Sequence, residues 1–288
     1  MVPPTSTPSS SNSSAMRTAA AITPLRRLIS AAAGAVALMA STGACAGSTE
    51  TQQTGQRYGA VNFVGKRTVA GKGSASVTFI AFEGAGVQVP NSSAQQNDQC
   101  VYASVDTSTV ATRGDRSAGD AISIVVAGVT RSLPYSVSDL RYATPAAAPI
   151  TYAAGDVAQV SVPGNGNSFP AMSGSVKLAE PIELGPLSTP TSGANLTVTW
   201  NGTNDATAAV ILQIKYPNPV TSTYANEQVY CALKDDGSVN IPAGLLNPFL
   251  VASSKRSLTL VRWRTNLVSA SGANLHLSAS TDTTVVFP

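Results

Sequence analysis

Apolar and polar residues alternate in short bursts along most of this chain, and Gly, Pro, Asn and Asp separate the bursts. Period-two alternation is the signature of half-buried strands. Ser76–Phe82 (SVTFIAF) and Gln99–Val105 (QCVYASV) predict two of them. Ala121–Val129 (AISIVVAGV) is a nearly continuous apolar run, which predicts a strand buried on both faces. Val157–Val162 alternates cleanly and stops at Pro163. Gly119-Asp120 and Gly155-Asp156 supply turn chemistry ahead of two of these strands, and PGNGNS at 163–168 reads as an exposed loop.

The pattern is clearest toward the end of the chain. Leu196, Val198 and Trp200 face one way, and Thr197 and Thr199 the other. Asn201-Gly202 then predicts a turn. Further strands are expected at 208–216, 228–233, 238–241, 258–264, 275–279 and 283–287. Asp235-Asp236-Gly237 predicts a tight turn, and Pro242–Leu246 a single helical turn opened by proline. No stretch sustains a 3.6-residue apolar period. The expected fold class is therefore all-β, with two sandwich domains of immunoglobulin-like size at 58–182 and 190–288. The break between them is the Pro-rich linker 183–189, inside Pro181–Thr191. Ser192–Leu196 (SGANL) recurs at Ser271–Leu275, which puts His276 in register with Thr197 on an outward face.

Residues 1–46 follow a different pattern. Arg17, Arg26 and Arg27 precede the apolar run Leu28–Ala40, and small residues and Cys45 follow. That order is a secretory signal. The run is too short to span a bilayer, which takes about 20 apolar residues. Gly43-Ala44-Cys45 fits a lipidation site that makes Cys45 the first mature residue. Ala44-Cys45-Ala46 also fits ordinary cleavage before Gly47. Arg26-Arg27 raises a twin-arginine signal, although Leu25 and Ser30 depart from that motif. Met16 is a second candidate start. Residues 47–57 form a polar tether.

The signal changes how composition is read. The chain carries 18 basic and 15 acidic residues, but three of the basic ones lie in the signal, so the mature chain balances 15 against 15. A nucleic-acid partner calls for a basic excess or stripe, and there is none. Charged residues are only 11% of the chain, so Ser, Thr, Asn and Gln must cover the surface. Either cleavage leaves Cys100 and Cys231. In an oxidising compartment an even pair points to one disulfide; separately buried thiols are the alternative.

Candidate chemistry is sparse. His276 is the single histidine, no G-x-S-x-G elbow exists, and a catalytic triad would have to use a mid-strand residue. One His and two separated Cys do not make a zinc set, and no metal or other cofactor is expected. Asp235 and Asp236 are read as turn residues, and Glu180 and Glu183 as solvated linker charges. Trp200 and Trp263 are read as core. Arg262 and Arg264 alternate with Trp263 and are read as an exposed pair, which with Lys255 and Arg256 offers a possible anion contact.

LTVTWNG at 196–202, YCALKDDGSVNIPAGLL at 230–246 and LTLVRW at 258–263 resemble the C-terminal immunoglobulin-like domain of uncharacterised bacterial secreted lipoproteins. The resemblance covers about a third of the chain and implies a β-sandwich with no known activity. The expected role is that of a non-enzymatic, lipid-anchored envelope protein in surface structure, adhesion or protein contacts. Its partners would be the membrane, through the anchor, and an envelope protein or glycan. A carbohydrate-binding module and a secreted hydrolase are the alternatives.

Overall fold

The computed structural model describes residues 56–69, 71–84, 98–104, 114–166, 168–215, 227–250 and 256–287. The signal, Cys45 and Lys255 lie outside them. The fold is all-β. Strands β1 (Arg57–Val69), β2 (Lys72–Glu83), β3 (Gln99–Ser104), β4 (Gly114–Arg116), β5 (Ala121–Val126), β6 (Val129–Ser136), β7 (Arg141–Ala143), β8 (Ile150–Ala153), β9 (Val157–Val162) and β10 (Met172–Lys177) precede the Pro-rich segment. After it come β11 (Leu196–Thr199), β12 (Ala208–Lys215), β13 (Glu227–Lys234), β14 (Ser238–Ile241), helix α1 (Ala243–Leu250), β15 (Arg256–Ala270) and β16 (Ala273–Phe287).

Several expected boundaries shift for local reasons. The run 121–129 is a hairpin rather than one strand, because Ala127 and Gly128 both take positive φ, 49° and 77°, and fold β5 onto β6. That is the handedness a two-residue hairpin loop requires. Ser271 and Gly272 do the same between β15 and β16. Asn201-Gly202 makes no hairpin, since β11 pairs with β14 and not with β12. Instead, Gly202 lies so close to the Gly237 backbone that a Cβ there would meet Gly237 N at 2.6 Å. Pro242 is followed by eight helical residues, longer than the single turn expected.

One sheet runs in the order β10-β9-β5-β6-β7-β2-β1-β16-β15-β12-β13-β3, and β11 and β14 form a small second sheet. Its pairings do not divide at the Pro-rich segment. β1 pairs in parallel with β16, and β3 joins β13 across the sequence midpoint. The described residues belong to one compact unit. Within it the apolar residues form two clusters. Core 1 packs Val61, Phe63, Val77, Phe79, Ile122, Ile124, Val160 and Phe169 against Leu275 and Leu277 of β16. It closes because the β9–β10 edge lies over β15 and β16, where a Cβ at Gly174 would reach Leu277 at 2.8 Å. Core 2 packs Leu212, Ile214, Leu233, Leu258 and Leu260 under Val198, Trp200, Ile241 and Leu246.

Candidate functional site

The same face of β15 and β16 serves both cores. On β15, Leu258 and Leu260 enter core 2 and Val268 packs on core 1. On β16, Leu275, Leu277 and Ala279 enter core 1 and Val285 packs on core 2. Between them lie Arg262, Arg264 and Thr281, and Arg262 stands directly opposite Thr281. A polar seam therefore crosses a continuous apolar surface. It is where the described ionisable groups concentrate.

The arginines are not the exposed pair expected. Arg262 is 0% exposed and Arg264 2%. Period two places them opposite Trp263, but both sides of the strand are covered here, so Trp263 is buried as well. Arg256 is buried too. The expected anion contact at Arg256, Arg262 and Arg264 is thus closed to solvent.

Every donor of Arg262 has an acceptor. Nε donates to Asp235 Oδ2 at 2.7 Å and Nη2 to Oδ1 at 3.1 Å. Nη1 donates to the carbonyls of Glu180 and Pro181 at 2.9 and 3.0 Å, and Nη2 also to that of Asn201. Asp235 is therefore a buried hub and more than the turn residue expected. It also accepts from Trp200 Nε1 at 2.9 Å and from the Thr203 hydroxyl. The turn itself is carried by Asp236, whose Oδ1 accepts from Ser238 N, and by Gly237 at φ 102°. Burial by itself would raise the Asp235 carboxyl, but the hydrogen bonds from Arg262 and Thr203 hold it below its ordinary value.

Arg264 completes the seam. Its Nη2 donates to Glu180 Oε2 and its Nη1 to Asp205 Oδ2, each at 2.7 Å. Lys177 Nζ reaches the same Asp205 oxygen at 2.7 Å and Glu180 Oε1 at 3.4 Å. Asp205 is held well below the usual carboxylate range, first by Lys177 and then by Thr207 and Arg264. Thr281 Oγ1 donates to the Glu180 carbonyl at 2.7 Å. Three cations, from β10 and β15, thus meet three carboxylates: Glu180 just before the Pro-rich segment, Asp205 between β11 and β12, and Asp235 between β13 and β14. Glu180 is an anchor here, whereas Glu183 is half-exposed and pairs with Arg67 at 2.9 Å.

Cys100 stands opposite Cys231 in the β3–β13 ladder, with Cα atoms 4.0 Å apart and the sulfurs bonded. The neighbouring Tyr102 hydroxyl donates to Glu227. His276 is on the opposite face from Leu275 and Leu277, as the alternation requires. It is not an exposed residue: its ring meets Trp263 edge-on at 6.3 Å, and burial pushes its pKa down to about 4. Its Nε2 has no hydrogen-bond partner among the described residues. No group of three or more His, Cys, Asp or Glu that could hold a metal occurs among the described residues.

This chemistry holds structure together. In the seam, each carboxylate is engaged by cations, and both guanidinium groups are spent on defined acceptors. Both indoles are buried, so neither offers a face to a sugar ring. The chain matches no protein-family model, and no curated protein matches it.

Proposed function

We propose that this is an exported, lipid-anchored cell-envelope protein with a non-catalytic structural, adhesive or protein-contact role. The observation that carries the reading is the Cys100–Cys231 disulfide. Bonded cysteines persist in oxidising compartments and are rare in the cytosol of mesophiles. Here the bond ties strands 131 residues apart in sequence, so it belongs to the final fold. The signal-like segment before it supports the same route. The non-catalytic part rests on the seam, in which the strongest ionisable groups are committed to one another.

Fractionation of the native host, with intact-mass measurement of the mature chain, tests the proposal. The expected result is a membrane-associated chain beginning at acylated Cys45, with Cys100 and Cys231 resistant to alkylation until reduced. A soluble mature chain beginning at Gly47 overturns the lipid anchor and leaves secretion. A full-length cytosolic chain with alkylatable cysteines overturns export altogether.

A further inference from the structure

Asparagine followed by glycine is prone to lose its side-chain amide, because a glycine nitrogen, with no Cβ beside it, reaches the asparagine side chain unhindered. The chain contains two such dipeptides, Asn165-Gly166 and Asn201-Gly202. Both asparagines are exposed, so access to water does not separate them. Bonding does. Asn201 Oδ1 accepts from Glu183 N at 2.7 Å, and its Nδ2 donates to the Pro181 carbonyl at 3.0 Å. Gly202 N, the nitrogen that has to attack, donates to the Trp200 carbonyl at 3.0 Å. Side chain and nucleophile are thus both held in place.

Asn165-Gly166 lies in the loop between β9 and β10. Gly166 is exposed at φ 49°. Among the described residues, nothing beyond its chain neighbours comes within 4 Å of where a Cβ would stand. The fixed points of the loop bracket this dipeptide. Asn165 N donates to the Phe169 carbonyl and Ser168 N to the Asn165 carbonyl, each at 2.8 Å. Those two bonds seat Phe169, which is buried in core 1 with its ring 6.2 Å from that of Phe79.

We propose that Asn165 is a site of spontaneous deamidation in the folded protein, and that the fold protects Asn201. Gly166 N bonds to Asn165 Cγ, the Cγ–Nδ2 bond breaks, and the amide leaves as ammonia with the proton of Gly166 N. Water then opens the cyclic imide. Opening at Cγ gives aspartate. Opening at the main-chain carbonyl gives isoaspartate, whose backbone runs through Cβ and Cγ and is longer by a methylene. The isoaspartyl form turns the carbonyl that Ser168 N needs into a free carboxylate and lengthens the span to Phe169. Loosening therefore begins in the loop and reaches core 1 at Phe169. Aspartate adds a charge but keeps the backbone. The inference goes beyond the role proposed above and does not depend on it.

The test ages the purified full chain at mildly alkaline pH, native and in urea, and maps its peptides by mass spectrometry with isoaspartyl labelling. Three hydrogen bonds of ordinary net strength must break before Asn201 reacts, so native conversion at Asn165 is expected to be faster by about a hundredfold. In urea the two rates converge, because the dipeptide is the same. Gly166→Ala slows conversion at Asn165 and leaves Asn201 unchanged. Amide hydrogen exchange quickens at Ser168 and Phe169 in the isoaspartyl form and not in Asn165→Asp. Three outcomes overturn the proposal: no native conversion at Asn165, equal native rates at the two sites, or a rate difference that persists in urea. Exchange at Ser168 and Phe169 that is equally fast in Asn165→Asp overturns the link to core 1, because charge and not backbone length is then the cause.

Discussion

Core 1 and the polar seam lie on the same face of the same two strands and hold together in opposite ways. Core 1 is apolar, with Phe79 against Phe169 and Tyr142 at 6.2 and 5.2 Å. Only a few hydroxyls bond within it, such as Tyr142 to the Gly119 carbonyl at 2.6 Å. Its attraction scales with area and has little direction. The seam, next along the same face, is directional: each Arg262 donor has a named acceptor. A core of the first kind tolerates shape-conserving change. A seam of the second kind fails when one partner is removed, because the remaining charge stays buried. It therefore fixes how the Pro-rich segment crosses the sheet, through the carbonyls of Glu180 and Pro181.

The largest expected effect breaks the seam from its hub. Asp235→Ala strands the Arg262 guanidinium and should cost about 3–5 kcal/mol in urea unfolding. The pair Asp235→Leu with Arg262→Met should lose much less, since replacing both ions by apolar groups is often close to neutral. A double variant as unstable as the single one would mean that the backbone carbonyls, and not the ion pair, set the cost. In core 1, Phe79→Ala should cost about 3–5 kcal/mol while Phe79→Leu costs less. That graded response is what the seam should lack.

His276 sharpens the contrast through pH. Its folded pKa, about 4, lies below the unfolded value near 6.5. Between those values the unfolded chain binds a proton that the folded chain refuses, so stability falls as pH drops from about 6.5 to about 4. The loss should approach about 3 kcal/mol and be absent in His276→Gln. The lowered Asp205 and Asp235 act further down: their contribution is complete above about pH 4 and is lost as pH falls through their folded values. A two-step acid transition, of which His276→Gln removes only the upper step, checks both. Reduction of Cys100–Cys231, or the double change to Ser, should cost about 2–5 kcal/mol by releasing the β3–β13 link. Hydrogen exchange should then quicken in β3 and β13 before core 1.

Much of the architecture was legible in local pattern. β9 and β14 fall on the expected residues, and β2, β12 and β13 within a few. β1, β4, β6, β7, β8 and β10 are not predicted, because Gly, Ser and Tyr dilute their alternation or the strand is only three residues long. Val129–Ser136, for example, is mostly exposed. The seam was misread for a specific reason. Alternation states that Arg262 and Trp263 face opposite ways, but not which side is wet. The clue was present in Leu258 and Leu260, whose face the two arginines continue. Asp235 was hidden similarly, since a turn sequence needs Asp for local reasons and gives no sign of a distant arginine.

By itself, then, the sequence determined what depends on neighbours in the chain: the all-β class, the strand periodicity and the turn at 235–237. Tertiary structure decided what depends on distant partners. It paired β1 with β16 and β3 with β13, bonded Cys100 to Cys231, and made Arg262, Asp235 and Glu180 one buried cluster. The physical reason is that backbone preference acts over a few residues, whereas the burial of a charge or the bonding of two sulfurs is set by groups that meet only after the sheet has closed.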